Sequence, residues 1–145
     1  MQDILIEFLK MYGVKEVYGK QSNPEILNIF TEIGIDGVED DSQIAWCSAA
    51  LNFICKKLNY ERSGELSARS WLKMPITVLK PSMGDIVVLW RESPKSWKGH
   101  VGLYISEDAK NVYILGGNQG DSVCILPYPK ERVLGYRRVH KLEDK

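Results

Sequence analysis

The spacing of the apolar residues changes once along this chain, at Pro75, and this change limits the fold more than any other sequence feature. Before Pro75 the apolar residues recur at helical spacing in four segments, 3–12, 24–34, 47–59 and 67–72. After it come five short extended runs, at 86–90, 100–105, 112–115, 123–126 and 134–139. Helices followed by a run of strands are typical of an α+β domain with an antiparallel sheet, here of about five strands.

Length and charge favour one domain, residues 1–145, without a linker or repeat. The 19 basic residues balance the 19 acidic ones, which argues against nucleic acid or an anionic membrane as the main partner. Two acidic residues lie within the first seven, and no apolar run approaches the roughly 20 residues of a membrane helix. We therefore expect synthesis in the cytoplasm without a signal peptide.

The chain has three cysteines, an odd number that cannot be fully paired within one molecule. Cys55 falls near the apolar stripe of its predicted helix, and Cys124 lies inside the apolar run Val123–Leu126. Free cysteine packs as a small hydrophobe, so both are predicted core residues of a protein made in a reducing compartment.

Cys47 has a different setting from the other two thiols. It follows the acidic, polar stretch Glu39–Gln43 and occupies the first turn of a predicted helix. Spacing of +4, +3 and +4 places Cys47, Leu51, Ile54 and Leu58 on one helical face. The free N–H groups and partial positive charge of a helix N-terminus favour thiolate, so the sequence predicts a nucleophile here.

A nucleophilic thiol needs a base, and the chain has two histidines. His140 lies among charged residues near the C-terminus and is predicted to be at the surface. His100 directly follows Gly99 and opens a strand, where alternation places it with Gly102 and Tyr104 on one sheet face. His100 is therefore the predicted partner of Cys47.

The base in such a pair needs an orienting acceptor on its second ring nitrogen. Asn118 and Asp121 are the polar candidates, in a glycine-rich stretch after the next strand. Glycine and asparagine favour positive φ, so the same stretch is also predicted to turn. The two roles are compatible, and both residues remain candidates.

Several short motifs in this order resemble the CHAP and NlpC type of papain-like amidopeptidase, a superfamily of bacterial and phage enzymes that cut peptidoglycan. The stretch before the cysteine resembles a short single-domain branch of it. The motifs are Glu16–Gly19, Asn23-Pro24, Trp46–Ala49, Gly84–Val87, Gly99–Gly102 and Gly117–Gln119.

The resemblance implies a papain-like cysteine peptidase in which a helix bearing the nucleophile packs on an antiparallel sheet bearing the base. It assigns Cys47 as nucleophile, His100 as base and Asn118 as the orienting residue, with no cofactor. Gly116 departs from the pattern, because many relatives carry glutamate there. Such enzymes often place an oxyanion donor ahead of the cysteine; Gln43 is the nearest amide, and the backbone N–H of Cys47 is the other candidate.

The substrate implied by the resemblance is the stem peptide of peptidoglycan, with Trp46, Trp97 and Gln43 as predicted substrate-binding residues. Trp97 lies in a polar loop before His100, where an exposed indole could stack on a sugar or peptide face. Action in the periplasm or cell wall would then require delivery. A phage lysin would use a holin, and an effector toxin would use a secretion system and have an immunity protein as partner.

Four other interpretations of these residues stand beside this one. A metal site is disfavoured because the chain has no Cys-x-x-Cys, His-x-x-x-His or His-Glu-x-x-His pattern. Calcium at Asp36, Glu39, Asp40 and Asp41 lacks the alternating pattern of a calcium loop. A catalytically silent wall-binding or interaction module would have no need of Cys47 and His100 together, whereas a cysteine protease acting on proteins would use the same pair.

Overall fold

Three α-helices precede the sheet in the part of the chain that this computed structural model describes, residues 2–15, 24–34 and 46–142. Each overlaps a segment predicted from the apolar spacing. The fourth predicted segment forms a 3₁₀ helix, Ala68–Lys73, and a second 3₁₀ turn spans Lys130–Arg132. The α-helices are α1 (Gln2–Leu9), α2 (Pro24–Glu32) and α3 (Cys47–Lys57).

The strands form one antiparallel sheet in the order β1-β6-β2-β3-β4-β5. All five predicted strands are present, which confirms the α+β class. The additional strand β1 has three residues and a largely exposed surface, so it carried no alternating apolar signal. The strands are β1 (Ile76–Val78), β2 (Ile86–Trp90), β3 (Gly99–Glu107), β4 (Asn111–Gln119), β5 (Ser122–Pro129) and β6 (Val133–Arg138).

The two faces of β3 belong to different apolar clusters, as strand alternation predicts. Val101 and Leu103 pack into the larger core with Leu51 and Ile54 of α3. Tyr104 packs on the opposite face with Val87, Leu89, Val112 and Ile114. Full burial of each large aliphatic side chain contributes about 1.5–3 kcal/mol. The main core therefore holds α3 firmly on β3 and β4.

The Gly84-Asp85 motif has a structural role. Asp85 is completely buried, and its carboxylate accepts the Ser82 N–H at 2.7 Å and two Arg138 N–H groups at 2.8 and 2.9 Å. These bonds close the turn into β2 and tie it to β6. The same carboxylate raises the pKa of Arg138. The motif thus fixes the strand that lies beside β3.

The two cysteines predicted for the core differ in burial. Cys55 is fully buried in the main core, as predicted. Cys124 is only half-buried, which corrects the second prediction, because β5 is the last strand of the sheet and residues 13–15 pair with it only at Ser122 and Val123. Its thiol donates to the Gln119 carbonyl oxygen at 3.2 Å.

Candidate active site

Cys47 is the first residue of α3, and its sulfur meets the start of β3. The backbone N–H groups of Val101, Ser48 and Cys47 itself are directed at the thiol and favour its ionised form. Pairing between β3 and β4 begins only at Leu103, which leaves the Val101 N–H open to the sulfur. Val101 directly follows His100 in β3, and no hydrogen bond joins the Cys47 thiol to either nitrogen of the imidazole in this structure.

Burial affects the pKa of the Cys47 thiol more strongly than these N–H groups do. Cys47 is 4% exposed, and loss of solvent raises the pKa of its thiol, whereas the N–H groups and the charge of Arg91 act in the opposite direction. The sequence predicted thiolate from the helix N-terminus alone, and that prediction is wrong in sign. At neutral pH the resting group is the thiol.

The protonation of His100 can be assigned from its neighbour Gln119. The Gln119 amide nitrogen donates to the carbonyl oxygens of Ile114 and Cys124, at 3.0 and 2.7 Å, so the amide oxygen must face the ring. That oxygen lies 2.8 Å from His100 Nε2, which therefore carries the hydrogen. Nδ1 is left unprotonated, and it has no hydrogen-bond partner among the described residues. This is the tautomer in which Nδ1 can accept a proton.

Tyr128 of β5 covers the other side of the imidazole. Its ring stacks on His100 with centroids 5.1 Å apart, and its hydroxyl lies 3.3 Å from Nε2. Burial raises the pKa of Tyr128 to about 12, so the phenol remains neutral beside the ring. Tyr128 and Gln119 together fix the ring plane, and no pattern in the sequence pointed to either contact.

Burial also sets the charge of His100. The side chain is completely buried, and loss of solvent lowers its pKa to about 4, although the bond to Gln119 acts against this shift. At neutral pH His100 is therefore a neutral imidazole, and Cys47 is a thiol.

The structure places Gln119, rather than Asn118 or Asp121, against the histidine. A bulge between Gly116 and Gln119 in the pairing of β4 with β5 breaks the strand alternation. Asn118 and Asp121 adopt φ of 58° and 63°, which confirms the predicted turn. The Asn118 side chain makes no hydrogen bond to any residue in the described part of the chain. The contact with the histidine that the resemblance assigns to Asn118 is therefore made by Gln119.

The departure at Gly116 has a steric reason. A Cβ at this position would lie 2.7 Å from Gln119 Oε1 and 3.4 Å from His100 Nε2. A glutamate here would occupy the space that the Gln119 amide fills. At the next residue, a Cβ on Gly117 would lie 2.7 Å from the ring of Trp46. The two glycines thus admit the orienting amide on one face and the indole on the other.

Gly116→Ala should lower both the activity and the stability of the protein. The added methyl should push the Gln119 amide away from His100, which lowers kcat/KM about 10- to 100-fold because the imidazole loses its alignment. Overpacking should reduce the free energy of unfolding by about 1–3 kcal/mol. Gly34→Ala is the matched control, since its Cβ meets nothing within 4 Å and its φ of 87° costs only backbone strain. Equal activity of the two variants would contradict this role of Gly116.

A pocket of about 310 Å³ opens beside Cys47 and gives it access to solvent. Trp97 stands at this pocket with 77% of its surface exposed, in keeping with its predicted contact with a substrate. Trp46 is completely buried, so its predicted substrate contact is wrong; the indole is a core residue beneath the site. Gln43 lies outside the described residues. The pocket is lined by Cys47, Leu66, Ser67, Ala68, Arg91, Glu92, Trp97, Lys98 and Gly99.

Within residues 2–15, 24–34 and 46–142, no three histidine, cysteine or acidic side chains are grouped as metal ligands. The acidic positions Asp36, Glu39, Asp40 and Asp41 lie outside those ranges. No helix in the described ranges is both long and apolar enough to cross a membrane.

Comparison with known proteins adds no family assignment. No family model matches this chain, and no curated protein matches it either.

The low pKa of His100 predicts a specific pH dependence of stability. As the pH falls, the histidine of the unfolded chain, with a pKa of about 6.5, binds a proton at a higher pH than His100 in the folded protein, whose pKa is about 4. His100 therefore makes its full contribution to the free energy of unfolding above pH 6.5, up to about 3 kcal/mol. This contribution is lost as the pH falls from 6.5 to 4.

Urea unfolding at pH 7, 5.5 and 4 can measure this loss. His100→Gln should show a smaller decrease in unfolding free energy over this range, because carboxylates common to both proteins contribute equally. His140→Gln is the control, since it removes the other histidine, whose side chain is 56% exposed and lies outside the site. Identical slopes for all three proteins would refute the assignment of a buried, neutral His100.

Proposed function

We propose that this chain is a papain-like cysteine amidohydrolase that cleaves an amide bond in the stem peptide of peptidoglycan. The observation that carries the proposal is the orientation of the Gln119 amide. It commits Nε2 of His100 to donate a hydrogen bond and leaves Nδ1 free to accept a proton. A buried thiol at a helix N-terminus lies beside the next residue of the same strand. A histidine that served packing alone would not need one ring nitrogen left unpaired.

The first half of the reaction acylates Cys47. As Sγ attacks the carbonyl carbon, His100 Nδ1 takes the thiol proton, and the carbonyl oxygen gains negative charge. The backbone N–H of Cys47 is the proposed donor to that oxygen. The imidazolium then gives its proton to the leaving nitrogen, the C–N bond breaks, and an amine departs. Gln119 stabilises the imidazolium through its oxygen on Nε2–H.

The second half hydrolyses the thioester. Nδ1 takes a proton from water, the hydroxide oxygen attacks the acyl carbon, and the C–S bond breaks. The sulfur recovers a proton from the imidazolium, and the product leaves as a carboxylic acid. Both halves use the same nitrogen, which is why the tautomer set by Gln119 matters throughout.

Peptidoglycan is proposed as substrate because the motifs that resemble wall amidopeptidases coincide with the parts of the site. Trp46–Ala49 begins the nucleophile helix, Gly99–Gly102 bears the base, and Gly117–Gln119 supplies the orienting amide. Trp97 offers an exposed indole at the pocket. The action would be that of a phage lysin or a delivered effector, in the periplasm or cell wall.

The substrate is tested by incubating the protein with purified sacculi of several wall chemotypes and identifying the released fragments by mass spectrometry. Fragments with one new amine and one new carboxylate show amide hydrolysis and locate the bond. Cys47→Ala, treated identically, should release none. If the wild type also releases no fragments from any chemotype, the proposed function is wrong.

A further inference from the structure

Among the residues that the structure describes, the pocket beside Cys47 contains one charged side chain without a partner. Its charged lining residues are Arg91, Glu92 and Lys98. Lys98 Nζ lies 2.8 Å from a Glu92 carboxylate oxygen and 5.8 Å from the centroid of the Trp97 ring, so these two charges neutralise each other. The half-buried Arg91 guanidinium makes no hydrogen bond or ion pair with any residue that the structure describes. Within the described part of the chain, the pocket therefore presents a cation without a partner.

This sets Arg91 apart from arginines nearby. Arg69 donates to three carbonyl oxygens, Arg132 donates to the Trp90 carbonyl oxygen, and Arg138 pairs with Asp85. A guanidinium has only donors, and leaving them unused in a partly buried position is unfavourable unless a ligand accepts from them. Its preferred partners are carboxylate and phosphate groups, which it binds in a bidentate manner.

The loop that carries Arg91 is fixed in advance. The Arg91 N–H donates to the Lys98 carbonyl oxygen at 3.2 Å, and Arg69 reaches the carbonyl oxygens of Ser93, Pro94 and Lys98 at 3.0, 2.8 and 2.9 Å. Glu92 adopts φ of 66°, a conformation that a non-glycine residue holds only when its surroundings enforce it. A preorganised cation loses little freedom on binding, which favours recognition of a ligand.

Arg91 is also close to the reacting groups. Its charge lowers the pKa of the Cys47 thiol and of His100. A group held by the guanidinium would therefore lie near the bond that the thiol attacks.

We infer that Arg91 binds a free carboxylate on a residue adjoining the scissile amide, so that the enzyme selects acidic peptides over their amidated forms. The exposed face of Trp97 would cover the same segment of the substrate. The inference rests on the proposed amidohydrolase function and names the class of substrate that the site takes.

The test uses one soluble muropeptide preparation, released from sacculi by a muramidase, in two forms. One half keeps its carboxylates, and the other is converted to carboxamides with carbodiimide and ammonia. Wild type should cleave the acidic form about 10- to 100-fold faster in kcat/KM, the range of a charge-assisted bidentate contact. Arg91→Gln should bring the ratio of the two rates close to one.

The readout is the ratio of kcat/KM on the acidic form to kcat/KM on the amidated form. Loss of the Arg91 charge also affects Cys47 and His100, but that effect is equal for both substrates and therefore leaves this ratio unchanged. Lys95→Gln is the matched control: it removes one positive charge from the same loop, at an exposed residue outside the pocket lining, and should keep the preference.

Two results overturn the inference while leaving the proposed function intact. They are equal cleavage of both forms by wild type, and a preference that persists in Arg91→Gln. Failure of the wild type to cleave either form is a different outcome, since it overturns the proposed function and this inference with it.

Discussion

Cys47→Ala is expected to lower kcat/KM for amide cleavage at least a thousandfold, on the order found when a covalent nucleophile is removed. Sγ forms the bond to the acyl group, and an alanine methyl cannot. The folded structure should persist, because the change removes one buried atom at a cost of about 1 kcal/mol. Steady-state rates and thermal unfolding of the purified variant measure both effects.

Cys55→Ala is the matched control for this experiment. Cys55 lies on the same helix and is fully buried, yet it is not one of the residues that line the pocket. Its loss should reduce the free energy of unfolding by about 1–2 kcal/mol and leave turnover near wild type. Cleavage by a folded Cys47→Ala protein at more than a few per cent of the wild-type rate would remove Cys47 from the mechanism.

Gln119→Ala is expected to have the next largest effect, a fall in kcat of about 100-fold with little change in KM. The substitution removes the acceptor for His100 Nε2–H and the bonds that fix the amide to Ile114 and Cys124. The imidazole then loses both its orientation and the oxygen that stabilises its charged form. The split between kcat and KM distinguishes this role from a contact with substrate.

Asn118→Gly and Asp121→Gly are the controls, chosen because glycine accepts the positive φ of both positions without strain. Each should keep kcat within about threefold of wild type, since neither amide nor carboxylate is hydrogen-bonded to His100. If folded Asn118→Gly loses more activity than folded Gln119→Ala, the orienting residue is Asn118 and the positioning role of Gln119 is wrong.

The elements of the fold were predictable because their signals are local. Apolar spacing predicts α3, and short apolar runs between turn residues predict β2 to β6. The order of helices before strands then predicts the α+β class. Strand β1 escaped prediction because its pairing with β6, not its own sequence, makes it a strand.

The site was predictable in part. Cys47 and His100 stood out because a helix start and a strand start each place one reactive side chain in a recognisable setting. Gln119 did not, because the bulge after Gly116 redirects it, and a bulge depends on the pairing of two strands. The ionisation of Cys47 was mispredicted for a similar reason: the sequence shows the helix N-terminus, whereas burial comes from the surrounding fold.

The most direct test of the central claim is to trap the acyl group that the Cys47 thiol is proposed to carry. Muropeptide is cleaved in the presence of increasing hydroxylamine, and the acyl products are identified by mass spectrometry. A thioester on Cys47 predicts that hydroxamate replaces carboxylate in proportion to hydroxylamine, with no hydroxamate formed by Cys47→Ala. Cleavage that yields only carboxylate at every hydroxylamine concentration would contradict a covalent mechanism through Cys47.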